Sequence, residues 1–570
     1  MAAWSVFHRA LADRCAALRR APAPDRALAL AGGLVVLIAL AYVAYFLRLQ
    51  TPGLRHPYVL EWDIRAAAMQ VWRYHGSGLF QNDLPTEIDV KLCPLGWRAL
   101  YWLGTLWTDP HTLSKFLPFA LFAAMLWQGF QFGREHGGVV LGALVIALLC
   151  HCLFLWDRIV GATPRAFGLP LVVALLRYAS AGRVGPSIAT VALTALFYPP
   201  AFVFSGPAYG LVLLVQRRFR PLLVLIGVGL AAVLLLAPAA LRGDPRLGHL
   251  TSVEELATFR QRERSGCYPR PPLRPALTLA VKTSLYATWG RRPPPPPSPP
   301  AGASPRAPLR ENGTACLIVV ALLAAAAGAR LRQVPLIFPM LLVCSTGAFL
   351  VAQAVACRLY IPDRMLLFSW VPAAQLLLPW LAHQAMTRIG LPRPALFAAL
   401  LWGGVQFGFY GNALVPFYGL HDFSLGVTRI VQFAGTLPKD SLIATSHTES
   451  SHIQTFAHRR TLFSSITNVP RFYEYGREME RRIEAYYRAY YATDLQPLRD
   501  LRDRYGVTHF IVEEADFRGF DRVYKETTIW RSLIDELKLA ARGRFVLAHP
   551  PADAIVFRDG TQVVLDLRRL

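Results

Sequence analysis

Residues 28–48 read "LALAGGLVVLIALAYVAYFLR", twenty-one residues whose only charge is the last. A bilayer core takes about 20 apolar residues as a helix, because no water is there to satisfy backbone polar groups. The run follows a basic segment with Arg9, Arg14, Arg19, Arg20 and Arg26, is longer than a signal-peptide core, and shows no clear cleavage site. It is predicted to be a retained signal anchor, with residues 1–27 as a basic cytoplasmic N-terminus.

The rest of the chain fits that start. Of 570 residues, 54% are hydrophobic and only 17% charged, too apolar for an ordinary soluble enzyme of this length. Further apolar runs fall near 115–132, 139–156, 166–178, 186–198, 200–215, 221–241, 314–330, 335–355, 365–383 and 394–412, giving about eleven spans. The net charge of +24 is spread between these runs, which points to topology and away from a nucleic-acid partner. With the first span running outward, the inner connections hold Arg134; Arg177 and Arg183; Arg217, Arg218 and Arg220; Arg330 and Arg332; and Arg388 and Arg393. That is the positive-inside pattern. The pair 186–198 and 200–215, split only by Tyr198-Pro199-Pro200, is the step on which the count turns, since one kinked helix there inverts everything downstream.

The expected organisation is therefore an α-helical polytopic membrane protein over 28–412, with outer loops 49–114 and 242–313, and an extracytoplasmic α/β domain over 413–570. The expected location is the plasma membrane, multi-pass. "PLGWRALYWLGTLW" (94–107) suits an interfacial helix, "SVEELATFRQRER" (252–264) is helix-like, and "RRPPPPPSPPAGASPRAP" (291–308) is a stiff linker. In the tail, 441–446, 508–514, 544–550, 554–559 and 562–567 read as strands, and 471–492, 494–505 and 527–541 as helices. The tail carries no phosphate loop, zinc pattern or nucleophile elbow. His447, Glu449 and His452 have the spacing of metal ligands and, equally, of polar residues at a water-facing helix start. Cys150-His151-Cys152 lies in an apolar run and reads as packing.

Just past the first span stands "YVLEWDIRAAAMQVWRYHGSGLFQND" (58–83), with Glu61, Asp63 and Asp83. A carboxylate in hydrocarbon costs roughly 3 kcal/mol even on the insertion scale, so acids at a membrane edge are either solvated or held for use. "IRAAAMQVWRYH" is helical in pattern and puts Asp63 near a helix start. Such a pair in the first outer loop, followed by an Arg-Ala helix and Gly78-Leu79-Phe80, resembles the C-type (GT-C) membrane glycosyltransferases, which include the oligosaccharyltransferases and protein mannosyltransferases. The resemblance implies a polyprenyl-phosphate sugar donor, with Asp63 and Glu61 as catalytic acids, Asp63 being the general base. No Trp-Trp-Asp-Tyr-Gly acceptor motif occurs in the tail, so the acceptor stays open.

The leaving phosphate needs cations, and Arg165, Arg358 and Arg364 stand at predicted outer ends of spans, against the positive-inside trend. The opposing reading pairs them with Asp157 and Asp363 or lets them snorkel to lipid headgroups. Asp83, Asp157 and Tyr198 complete the expected substrate site. Glu61, Asp63 and Asp83 offer hard oxygens for a divalent ion such as Mg or Mn, which many of the similar enzymes do without. A transporter or flippase of lipid-linked sugars, or a non-catalytic assembly or sensor protein, are the competing functions. A shared pocket for Asp63 and one of the three arginines would separate the transferase from both.

Overall fold

The computed structural model describes residues 54–241, 244–265, 274, 276–278, 333–355, 361–388, 428–517 and 527–570. The apolar runs at 28–48, 314–330 and 394–412, the proline-rich tract and Arg358 lie outside them.

Before the first long helix come three short ones: α1 (Trp62–Val71), α2 (Leu84–Leu92) and α3 (Leu95–Gly104). α4 (Pro110–His151) is continuous in name only, because Gly137 and Gly138 leave helical geometry, Gly138 at φ 80°. There the chain doubles back. A Cβ on Gly133 would lie 2.5 Å from the Gly142 Cα, and one on Gly129 would meet Val145 and Leu149. These glycines let the two arms touch backbone to backbone, matching the two runs at 115–132 and 139–156.

The same hairpin logic repeats through α5 (Leu153–Ile159), α6 (Pro164–Ser180), α7 (Val184–Phe197), α8 (Pro199–Val215) and α9 (Phe219–Leu241). Tyr198 is extended, with φ −148° and ψ 79°, so α7 and α8 are separate helices. Their antiparallel pairing is registered by Thr194 Oγ1 and Ser205 Oγ at 3.3 Å. The Pro-Pro step is therefore a reversal, as the positive-inside pattern required, and no kinked single helix forms. α10 (Ile337–Ala354) and α11 (Asp363–Arg388) pack onto α8, α6 and α4. The hairpin turns at 137–138, 181–183 and 216–218 thus share one end of the bundle. There Glu135 is held by Arg177 at 3.0 Å and Arg183 at 2.9 Å.

Pro110–Ala143 and Ile337–Ala354 are each long and apolar enough to cross a bilayer, and Val184–Phe197, Pro199–Val215 and Phe219–Leu235 are shorter apolar helices. α9 turns Leu223, Leu230 and Leu234 outward at 67%, 61% and 74% exposure. An apolar helix that is apolar on its outer face too is built for a nonaqueous surround. Cys150 and Cys152 pack in this core, while the His151 side chain lies outside what is described.

The tail is a five-stranded sheet, β1 (Leu442–Ala444), β2 (Arg460–Thr461), β3 (His509–Glu513), β4 (Ile555–Asp559) and β5 (Gln562–Asp566), in the order β2-β1-β3-β5-β4. β1 runs parallel to β2 and β3, and β5 antiparallel to β3 and β4. Helices α12 (Thr428–Thr436), α13 (Tyr473–Tyr490), α14 (Gln496–Tyr505) and α15 (Thr527–Ala541) accompany it. In α13 the buried residues Tyr475, Met479, Ile483, Tyr486 and Tyr490 recur at helical spacing. Glu478–Arg482 and Glu484–Arg488 pairs occupy its outer side.

Three expectations fail. Segment 544–550 is no strand: it makes a short turn, Val546–Ala548, whose Leu547 is fully buried and whose Val546 N–H donates to Ala492. "SVEELATFRQRER" supplies only Val253–Ala257, started by a Ser252–Glu255 capping box, and a further turn at Arg262–Ser265. His452 does not face water; at 6% exposure it lies beside Phe456 where the tail covers α1, while the side chains of His447 and Glu449 lie outside what is described.

The segments predicted to be outer loops meet each other and the tail. Lys91 of α2 pairs with Asp244, the Thr251 N–H donates to the Arg471 carbonyl, and Arg260 N–H donates to Glu480 at 2.6 Å. Lys439 reaches the Ser77 carbonyl, and Tyr58 packs edge-on against Phe456.

Ile483 is fully buried at the centre of the tail core. Ile483→Ala is expected to cost about 2–5 kcal/mol, read as a lowered unfolding temperature of the detergent-solubilised protein.

Candidate active site

The site begins with a helix start that is electrostatically wrong. Arg165 is the second residue of α6, where the partial positive charge of the helix N-terminus disfavours a cation. It is 9% exposed and gives one terminal nitrogen to Glu61 at 3.3 Å and the other to Asp63. The two acids stand where the same rule favours them, at the start of α1: Glu61 is its extended N-cap, accepting the Ile64 N–H at 3.1 Å, and Asp63 is in its first turn. Two helix N-termini of opposite need thus satisfy each other.

The turn before α6 makes this approach possible. Gly161 has φ 79°, and a Cβ there would lie 2.6 Å from Glu61 Oε2, so only glycine admits the carboxylate. The next carbonyl, Ala162, accepts from Trp97 Nε1 at 2.8 Å and the Tyr101 hydroxyl at 3.3 Å. The Trp-rich α3 therefore fixes the turn that backs Glu61. Tyr198 lies 3% exposed one turn deeper, its ring against Gly168 and 5.0 Å from Phe368, wedging α6 to α11.

Glu61 and Asp63 are not equivalent. Burial, then the charge of Asp63, pushes the Glu61 carboxyl well above the usual carboxylate range, against the pull of Arg165 and the Ile64 N–H. Asp63 is the open member, with a side chain 40% exposed against 17% for Glu61. More cations surround them: Arg158 feels the charges of Arg165, Arg364 and Asp63.

Of the expected residues, Glu61, Asp63, Arg165, Asp157 and Arg364 fall in this neighbourhood, and Tyr198 supports it. Asp157 pairs with Arg158 at 3.4 Å, leaving Arg165 to the loop acids. Asp83 is spent elsewhere: it is 3% exposed and caps α2 through the Thr86 N–H and hydroxyl. Among the described residues no three His, Cys, Asp or Glu side chains are disposed to hold a metal ion, so Glu61, Asp63 and Asp83 do not form a ready cation site. Arg158 and Gly161 were missed. Both sit in the stretch "WDRIVGATPRAF" that supplied Asp157 and Arg165, and an Asp-Arg dipeptide at the end of an apolar run was the available signal.

No family model matches the chain, and no curated protein does. Among solved structures it is similar to ArnT from Cupriavidus metallidurans in the apo state, at 12% identity and TM-score 0.39 over 93% of this chain and 97% of that one. It is also similar to the archaeal oligosaccharyltransferase AglB from Archaeoglobus fulgidus, in complex with an inhibitory peptide and a dolichol-phosphate. That match has 11% identity and TM-score 0.26 over 79% of this chain, which spans 57% of AglB.

Asp89 on α2 has a buried carboxyl oxygen without a hydrogen-bond partner. Burial, then the charges of Asp83 and Asp63, pushes its carboxyl from 3.8 to about 8. A carboxyl raised in the folded state stabilises fully below its unfolded value and loses that contribution as pH rises through the folded one. Asp89→Asn removes the titration, so the variant's unfolding free energy is expected to pull ahead of the wild type's as pH climbs from 5 to 9, by about 1–3 kcal/mol at the top, read as a higher unfolding temperature.

Proposed function

We propose that the chain is a GT-C-type membrane glycosyltransferase. It moves a sugar from a polyprenyl-phosphate donor to an acceptor hydroxyl at the extracytoplasmic face, with inversion. The observation that carries the reading is the meeting of Asp63, from the first outer loop, with Arg165, from a bundle helix, at the end of the bundle covered by the tail. A transferase acting on a membrane-anchored donor needs a base exposed to the acceptor beside a cation fixed at the membrane edge.

In this reading the acceptor oxygen attacks the anomeric carbon while its proton passes to Asp63. The bond from that carbon to the donor's phosphate oxygen breaks, and the electron pair leaves on the phosphate. Arg165 receives the developing charge through its planar fork, and Arg158 and Arg364 add positive potential around it. The tail supplies no chemistry of its own. It lies over α1 through Phe456 and over α2 and the 244–265 segment through α13, and so shapes the acceptor side. The apolar outer face of α9 supports a place in the lipid bilayer, and the turns near Arg134, Arg183 and Arg217 support a cytoplasmic side for the opposite end.

Turnover of a panel of polyprenyl-phosphate sugars by the purified protein tests this. Asp63→Asn is expected to lower kcat by about 10²–10⁴ with the unfolding temperature unchanged, because the exchange is nearly isosteric and the side chain is 40% exposed. Equal turnover in the two proteins would remove Asp63 from the chemistry.

A further inference from the structure

We propose that the resting protein occupies its phosphate-binding arginine with its own base, so that the donor's phosphate must take Arg165 from Asp63 before Asp63 can serve the acceptor. The inference rests on the reading just given and concerns the order of events at the same site.

One guanidinium carries two acidic side chains. Arg165 spends one terminal nitrogen on Glu61 and the other on Asp63, and its side chain is 9% exposed, which leaves few directions of approach. The two acids differ in how firmly they are held. Glu61 is fixed by the Ile64 N–H at 3.1 Å and backed by Gly161, where no side chain could fit. Asp63 has the more open side chain, 40% exposed. An incoming anion therefore displaces Asp63 and leaves Glu61 in place.

A phosphate is suited to the exchange. Its oxygens match the guanidinium fork, and Arg158 and Arg364 are near enough for their charges to be felt in the same cluster. The exchange also has a chemical consequence. Arg165 occupies a carboxylate oxygen of Asp63, so freeing that oxygen only when donor is bound couples the base to the presence of a leaving group.

The test is the affinity of the full-length, detergent-solubilised protein for a polyprenyl monophosphate carrying no sugar, and separately for inorganic phosphate. Because Asp63 competes for Arg165, Asp63→Asn is expected to bind both about threefold to tenfold more tightly than wild type. Placed on Arg165→Gln, the same change is expected to alter affinity less than about twofold. Arg165→Met, which is neutral and of similar length, gives the same comparison if the Gln variant is unstable. Asp157→Asn, whose acid pairs with Arg158, is the control for removing a negative charge nearby and should give the smaller gain.

Unchanged or weaker binding by Asp63→Asn overturns the proposal, as does a gain that persists without Arg165 or one matched by Asp157→Asn. A gain confined to the lipid assigns the effect to chain packing and overturns it too. Turnover separates the two readings. If Asp63→Asn still turns over, the base assignment fails whatever the affinities; if turnover is lost and affinity does not rise, the base stands and the exchange fails.

Discussion

A cation at the start of a helix needs a reason to be there, and Arg165 is answered by two acids at the start of another helix. Much of the upper architecture follows from that single requirement. α1 must lie across the mouth of the bundle to bring Glu61 and Asp63 to the guanidinium. The loop before α6 must pass close enough that Gly161 touches Glu61, and α3 must stand where Trp97 and Tyr101 can hold the Ala162 carbonyl. Take away the guanidinium and the enclosed Glu61 is left in a desolvated place without its partner, whereas the open Asp63 keeps its water.

The bundle presents that mouth by arithmetic of turns. Each reversal at 137–138, 181–183 and 216–218 lies at one end, so the entries to α4, α6 and α8 lie at the other. The first loop, the 244–265 segment and the tail meet there, through Lys91–Asp244, Arg260–Glu480 and Lys439 with Ser77. These contacts are polar and spread over three segments distant in sequence. Apolar packing joins them, since Ile88 and Leu247 from those loops are buried in the core of the tail.

The bundle helices among the described residues were legible because apolar length is a local property, and so was the α7–α8 hairpin, where Pro199-Pro200 interrupts an apolar run. Four of the tail's strands were legible for the same reason. The failures have a common cause. "RFVLAHP" has the composition of a strand, yet Val546 is bonded to Ala492 at the end of α13 and Leu547 plugs the core, a tertiary choice that overrides propensity. β2, two residues long, exists only because β1 is beside it. His452 looked solvated because its neighbours in sequence are polar, but its neighbour in space is Phe456, against which α1 packs Arg65. At the site, residue types and their end of the bundle were readable. Which acid meets which arginine was not: Asp157 pairs with its neighbour Arg158, while Glu61 and Arg165 are 104 residues apart and joined.

The ionic cluster is a poor device for stability alone. A buried ion pair returns little beyond the cost of desolvating its members, and apolar residues of similar volume hold a helix end as well or better. Around the cluster the chain does use that cheaper solution: Ile64, Ala166 and Phe167 pack with Trp97 in a dry patch. The charges therefore stand where packing was available and was not used. Their asymmetry extends the point. If cohesion were their purpose, both acids would be equally enclosed, yet one is capped and backed by a left-handed glycine while the other is left open on the surface. A fixed acid that holds the arginine in place, together with an exposed one that can leave it, is the arrangement that the proposed exchange requires.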